Sequence, residues 1–221
     1  MKKVLACNNT CVFDNVLQQN DFDEIYKWFE SQPFVFKMAQ GEWKKAWGTT
    51  DGSMLTSRTF EFPASLEIDL HEKDKPLAPW IMGLKEALYN SVIDMDQVLS
   101  VSLTPFVYPA GTGLRWHNDT NYVGAFTYYV HKEWSAEWAG EFLTIEADEH
   151  IQKPEGMTWH AFDNYEVDKF IVDHGFGTFI HPKPNRLIVN KAGEQGILHK
   201  VNKSTAQAKD RLSIQGFLRK K

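Results

Sequence analysis

The sequence predicts an α+β, mainly β chain: two packing helices in its first hundred residues, then a β-sandwich or barrel that carries the chemistry. Three observations predict it. Apolar residues recur with a helical period only before about residue 97, the period changes to two near residue 98, and short strand-like runs fill the rest of the chain. Gly, Pro, Asn or Asp separates most of those runs.

The first helix is signalled by Asp21-Phe22-Asp23-Glu24, a capping residue with a carboxylate three positions on. Phe22, Ile25, Tyr26 and Phe29 then fall on one face. A second helix is expected from Pro79, which suits the first helical position, with Ile81, Leu84, Leu88 and Val92 along one side. Leu99, Val101 and Leu103 alternate with Ser100, Ser102 and Thr104, the pattern of a strand with one buried face. Further strands are expected over 123–130, 141–146, 177–181, 186–189, 196–201 and 211–218. The stretch 147–175 is the least regular and is expected to be a lid-like surface insert with some strand in it.

The chain has 221 residues with 43% hydrophobic and 24% charged, enough to bury a core without a disulfide or structural metal. No repeat or Ser/Gly linker divides it, so one domain over 1–221 is expected: helical and strand support over about 1–97 and a β core over about 98–221. No apolar run approaches the roughly 18 residues of a membrane span. Val4-Leu5-Ala6 is too short for an export signal, which implies a cytoplasmic protein. Cys7 and Cys11, spaced C-x3-C, match no common zinc or redox motif and read as free thiols. Twenty-four Lys and Arg against 29 Asp and Glu give a net charge of -5, which disfavours nucleic acid and anionic membranes as partners.

Chemistry concentrates in Tyr108-Pro-Ala-Gly111-Thr-Gly113-Leu-Arg115-Trp116-His117-Asn118-Asp119. In an extended segment His117 and Asp119 point to the same side, so an imidazole and a carboxylate can converge. Downstream stand His199 and then Arg211-Leu212-Ser213. Two histidines and one carboxylate on one side of a metal leave the other side open, which suits non-haem Fe(II). Arg211 and Ser213 alternate on a strand, where a guanidinium fork and a hydroxyl suit a carboxylate.

This order of motifs, Tyr-x-x-Gly, His-x-Asp, a distal His with Val two residues on, and Arg-x-Ser, resembles the Fe(II) and 2-oxoglutarate-dependent dioxygenases, in particular their prolyl-4-hydroxylase-like branch. The resemblance covers roughly 100–217 and includes Tyr128-Tyr129-Val130 and Trp138-Ala139-Gly140-Glu141. It implies a double-stranded β-helix, a jelly roll of the cupin-like kind. It implies His117, Asp119 and His199 as iron ligands, Arg211 as partner of the distal 2-oxoglutarate carboxylate, and Ser213 and Tyr108 as its helpers. It also implies O2 as co-substrate, ascorbate as a stimulant, and hydroxylation of an unactivated C–H bond with release of succinate and CO2. Asp119 favours hydroxylation, because halogenating relatives lack that carboxylate. No second arginine follows Arg211 before Leu218, unlike nucleic-acid demethylases of the superfamily.

The expected substrate is a small molecule, such as an amino acid or natural-product intermediate, or a polypeptide side chain. Arg115 shares the parity of His117 and Asp119 and is a candidate substrate contact, as are Tyr122 and Trp134 at the cavity mouth. Trp116, of opposite parity, is expected to pack outside. Trp43, Trp47, Asp51 and Gly52 form an aromatic and turn cluster placed to fold over the opening. His71, His131, His150, His160, His174 and His181 are expected not to bind metal. Two competing readings are a jelly-roll binding module without turnover and a zinc-dependent hydrolase. The second lacks an H-E-x-x-H helix and has no evident use for Arg211.

Overall fold

Side-chain alternation decides which face of each strand meets which neighbour, and here it divides the apolar residues between two cores. The computed structural model describes residues 1–7, 9–38, 46–67, 69–119, 121–145, 165–174, 176–192 and 197–221. In chain order the elements are β1 (Lys2–Ala6), β2 (Thr10–Asp14), α1 (Gln19–Glu30), β3 (Val35–Phe36), β4 (Leu55–Thr56), β5 (Phe60–Pro63) and α2 (Leu77–Tyr89). There follow β6 (Val98–Tyr108), β7 (Leu114–His117), β8 (Tyr122–Tyr129), β9 (Phe142–Ile145), α3 (Tyr165–His174), β10 (Thr178–Ile180), β11 (Arg186–Lys191), β12 (Leu198–Val201) and β13 (Arg211–Lys220).

Among the described residues these strands form two antiparallel sheets. The larger runs β1-β2-β11-β8-β13-β6-β4-β3, with β5 also paired to β6, and the smaller runs β10-β9-β12-β7. From β6 onward the chain passes between them, with β6, β8, β11 and β13 in the large sheet and β7, β9, β10 and β12 in the small one.

One face of the large sheet presents Phe13, Val101, Leu103, Phe126, Tyr128, Leu187, Val189 and Ile214 to Phe22 and Ile25 of α1 and Trp80 and Leu84 of α2. The Trp80 ring lies 5.9 Å from Phe126 and 5.7 Å from Tyr128. Their chain neighbours Val12, Tyr129 and Ile188 turn the other way, joining Phe106, Tyr108, Leu114, Phe142 and Val201 between the sheets. Each fully buried Leu or Phe contributes roughly 1.5–3 kcal/mol. Gly216 of β13 makes room for the Phe126 ring. A Cβ there would lie 1.9 Å from the Ser102 carbonyl oxygen and 2.3 Å from Phe126 Cζ.

Several expectations are corrected. α1 begins at Gln19, so Asp21 sits in the first turn rather than at the cap, where its charge still favours the helix N-terminus. Trp28, not Tyr26, completes its buried face. α2 begins at Leu77 and ends before Val92. Leu99 is 58% exposed and Val98 takes its place in the core, because the register slips opposite Arg219 and Lys220 and reverses the parity of the strand end. The described part of the 147–175 insert is helix α3, not strand. Phe170 and Ile171 there pack with Trp116 against Leu198, which places Trp116 outside the sandwich as expected. The rest of that insert lies outside the described residues.

Strands β1 to β5 fall in the N-terminal support, where strand was expected but no individual strand was placed. The β1–β2 hairpin extends the large sheet through β11. Asp14 fixes that junction by ion pairs of 2.7 Å to both Arg186 and Lys183. Burial pushes the Asp14 carboxyl up, but the bonds from these two cations overcome it and hold the group below its usual value. Cys7 and Cys11, at the hairpin end, form no disulfide. Among the described residues no helix is long and apolar enough to cross a membrane.

Candidate metal centre and cavity

Strand pairing builds the centre. His117 ends β7 and His199 lies in β12, and the two are directly paired across the small sheet, with ring centroids 4.3 Å apart. Asp119 follows two residues after His117 and brings its Oδ2 to 3.4 Å from His199 Nε2. One ligand atom from each of the three lies within 4.8 Å of the others, the one such cluster found among the described residues.

The orientation of both rings is set by backbone carbonyls, which only accept. His117 Nδ1 donates to the Arg115 carbonyl at 2.6 Å and His199 Nδ1 to the Ile197 carbonyl at 3.2 Å. In the neutral rings this leaves Nε2 with its lone pair free, the form that binds metal. The Phe142 ring stacks on His199 at 5.3 Å and fixes its plane. Burial pushes the His117 pKa down to about 4, helped by His199 and opposed by Asp119 and the Arg115 carbonyl, so the ring is unprotonated at neutral pH. His199 Nε2 and the Asp119 carboxylate oxygen, 3.4 Å apart, are both electron-pair donors that converge on one point when the ring is neutral. The donor set therefore fits a divalent ion.

Beside the three ligands opens a cavity of about 130 Å³ whose walls include Leu114, Phe142 and Val201 of the small sheet and Ala125, Thr127, Asn190, Gln215 and Phe217 of the large one. Tyr122 lines it and stacks on Phe217 with centroids 4.3 Å apart. Ala46 closes one side.

Arg211 pairs with Tyr108 across β13 and β6, and its guanidinium sits 4.4 Å over the Tyr108 ring. It is 2% exposed. Nη1 donates to the Gly140 carbonyl at 2.9 Å, while Nη2 is buried and has no partner. Burial pulls the Arg211 pKa below its usual value, opposed by Tyr129, Tyr108 and Glu141. Burial also pushes Tyr108 up to about 12. Tyr108 Oη donates to Gln215 Oε1 at 3.2 Å, and Gln215 Nε2 donates to Ser213 Oγ at 3.0 Å. Arg211, Tyr108 and Ser213 are thus brought together, linked to the cavity wall by Gln215.

Two substrate candidates stand elsewhere than expected. Arg115 is drawn to the buried Asp51, with Nε 2.6 Å from Oδ2, and does not line the cavity. Asp51 also accepts from the Gly48 amide and pairs with Lys203 at 3.3 Å, so the charge on Arg115 is spent on holding the chain before β4 against β7. Trp134 donates from Nε1 to the Ala139 carbonyl at 2.9 Å and lies against the Gly140 segment that receives Arg211, so it braces that loop. Trp47 donates to the Gly52 carbonyl at 3.2 Å. Gly52, at φ +90°, approaches Thr112 so closely that a Cβ would lie 2.7 Å from its Cα. Trp43 lies outside the described residues.

The remaining described histidines lie apart from the metal cluster. His131 Nε2 bonds to the Pro182 carbonyl at 3.0 Å, His181 lies 3.8 Å from Glu141, and the His174 ring packs 4.0 Å from Phe176 in a tilted arrangement. His150 and His160 lie outside the described residues. Sequence reasoning missed Gln215, Asn190, Thr127 and Tyr129. Gln215 shares the parity of Arg211 and Ser213, a signal present in the sequence. Asn190 is the polar residue that follows the apolar run Leu187-Ile188-Val189.

No family model and no curated protein matches the sequence. Solved structures do match. A prolyl-4-hydroxylase from Pseudomonas putida aligns with a TM-score of 0.60 at 14% identity, over 96% of this chain and 93% of its own. A prolyl hydroxylase from Trichoplax adhaerens, in complex with a hypoxia inducible factor oxygen degradation domain peptide fragment, gives 0.64 at 12% identity, over 96% and 84%. The chain has the prolyl hydroxylase fold. HygX from Streptomyces hygroscopicus, with nickel and 2-oxoglutarate bound, gives 0.57 at 12% identity, over 96% and 83%. A prolyl-hydroxylase fold here thus carries a His-Asp-His cluster where two sheets meet a cavity.

Proposed function

We propose that the protein is an Fe(II)- and 2-oxoglutarate-dependent dioxygenase that hydroxylates an unactivated C–H bond of a small molecule or polypeptide side chain, releasing succinate and CO2. The observation that carries this reading is the pairing of an open two-histidine, one-aspartate cluster with a buried guanidinium whose Nη2 lacks a protein partner. A metal site alone fits a hydrolase or a sensor. The orphaned donor calls for an anion as well. In this reading the alternation of strands between the sheets is a double-stranded β-helix, and the described residues form one domain.

His117, Asp119 and His199 would hold the iron, which supplies O2 activation coupled to oxidative decarboxylation when it is bound. Arg211 supplies the charge that fixes the distal carboxylate of 2-oxoglutarate, with Tyr108 and Ser213 as its polar neighbours. The carbonyls of Arg115 and Ile197 keep both imidazoles turned, so no reorganisation is needed on binding. Apolar walls from Leu114, Phe142, Val201 and Phe217 exclude water from the reacting groups. Tyr122 lines the substrate side. A peptide substrate draws support from the peptide-bound neighbour, and a small molecule from the enclosed cavity. O2 is the second co-substrate and ascorbate a stimulant. Two cysteines held in no disulfide suit the reducing cytoplasm.

The test is anaerobic addition of 2-oxoglutarate to the Fe(II)-loaded protein, read as the visible charge-transfer band of the chelate, in wild type and His199→Ala. A band in wild type alone is expected. Its absence from folded, metal-loaded wild type, or turnover supported by Zn(II) and not by Fe(II), removes the oxygenase reading.

A further inference from the structure

The inner face of the large sheet has a polarity along its length. The register aligns Arg211 with Tyr108, then Phe106, Ser213 and Tyr129 two residues on, then Thr104, Gln215, Thr127 and Ile188, then Phe217, Ala125 and Asn190. Arg211 and Phe217 are therefore six residues apart on one strand, about 20 Å at roughly 3.4 Å per residue. A five-carbon dicarboxylate has four C–C bonds of about 1.5 Å, so its chain spans about 6 Å at most. Anchored at Arg211, it falls well short of the Asn190 row. That row belongs to whatever else enters the cavity.

Asn190 lines the cavity, is 3% exposed, and its Nδ2 has no hydrogen-bond partner. A buried amide donor left without an acceptor costs about 1–3 kcal/mol, a cost removed when a ligand or water oxygen comes within reach. Next to it in register is Ala125, then Phe217, on which Tyr122 stacks. Both ends of the Gln215 amide already have a protein partner, Tyr108 on Oε1 and Ser213 on Nε2, unlike Asn190 Nδ2. Among the described residues lining the cavity none is Lys or Arg, and Asp119 is the only carboxylate.

We propose that Asn190 and the Tyr122–Phe217 pair form a substrate subsite for an uncharged group that carries an acceptor oxygen beside a flat or apolar body, such as a carboxamide or peptide carbonyl. This rests on the oxygenase reading for what happens next to the subsite, not for the subsite itself. Asn190 Nδ2 donates to the carbonyl, and the stacked pair covers the body. A carboxylate at this position meets no cationic side chain to offset its desolvation, and an ammonium has no lone pair to accept the Asn190 Nδ2–H.

The probe is benzamide, with benzoate and benzylamine as charged counterparts of the same shape. Protein loaded with Mn(II) and 2-oxoglutarate is kept anaerobic, and the paramagnetic relaxation of probe protons reports binding near the metal. Benzamide is expected to be relaxed at least fivefold more than either charged probe. Asn190→Leu, close in volume, and Asn190→Asp, which removes the donor, should both abolish the difference while leaving 2-oxoglutarate affinity within about twofold. Equal relaxation by benzoate, benzamide binding that survives both variants, or no relaxation of any probe by protein that holds Mn(II) overturns the proposal. Saturation-transfer measurements on metal-free protein separate the two readings. Benzamide contact dependent on Asn190, in a protein that takes up neither Mn(II) nor 2-oxoglutarate, keeps the subsite and removes the oxygenase.

Discussion

Replacing Arg211 by Met should move ligand affinity and fold stability in different directions. The guanidinium is enclosed with one hydrogen bond, to the Gly140 carbonyl, and one ring contact, to Tyr108. Losing them costs about 1.5–3 kcal/mol for the charged hydrogen bond and about 0.5–2 for the cation–π contact. Against this, a buried ion whose desolvation is repaid by few partners costs several kcal/mol, which an apolar side chain of similar length removes. The two sums nearly cancel. At about 2–4 °C per kcal/mol for a chain of this size, the melting temperature should hold within about 5 °C or rise. For 2-oxoglutarate, losing a buried charged partner costs about 2–5 kcal/mol, which weakens Kd by about 30- to several-thousand-fold. Calorimetric titration of the metal-loaded protein gives Kd, and differential scanning calorimetry gives the melting temperature. Metal affinity, set by residues on the other sheet, should stay within about threefold. An unchanged Kd in folded Arg211→Met, or a fall in melting temperature beyond about 10 °C, would show that Arg211 is structural and refute the reasoning.

Two further predictions concern the scaffold. Burial pushes the His131 pKa down to about 4, against an unfolded value near 6.5. The unfolded chain takes the proton first, so this stabilising contribution is complete above about pH 6.5 and lost as pH falls toward 4, by at most about 3 kcal/mol. Urea unfolding of wild type and His131→Gln over that window should converge as pH falls, and parallel curves would remove His131 as the cause. Gly216→Ala forces a methyl to 1.9 Å from the Ser102 carbonyl oxygen in the centre of a sheet, so a loss of more than about 4 kcal/mol or insoluble protein is expected. A variant that melts within about 3 °C of wild type would show that β6 and β13 can separate at that point.

The second half of the fold was legible because each of its longer strands carries a period-two pattern several residues long, as in Val101 and Leu103 or Leu212 and Ile214. β3 and β4 have two residues each, too short for any period, and they exist because β6 offers an edge for them to pair with. β1 was hidden for another reason: its burial barely alternates, since it is the exposed outer strand of the sheet. Parity placed His117 and Asp119 beside each other and failed for Arg115. An extended segment fixes the direction of Cβ, but a long side chain follows its strongest partner, and Asp51 comes from 64 residues earlier. The same limit hid Trp134, whose indole reaches back to a carbonyl five residues on.

The strand that carries Arg211 sits between β8 and β6 in the middle of the large sheet, yet it is the last of the thirteen in chain order. Until residues 211–220 dock, both neighbours present unpaired backbone edges and the two halves of that sheet have no shared hydrogen bonds. Pairing of this central strand with β8 closes across more than eighty residues of intervening chain, a non-local step that is slow and leaves sticky edges open until it is made. Arg211 and the completed sheet arrive in the same event, so under the proposed reading no partly paired sheet holds a finished co-substrate site.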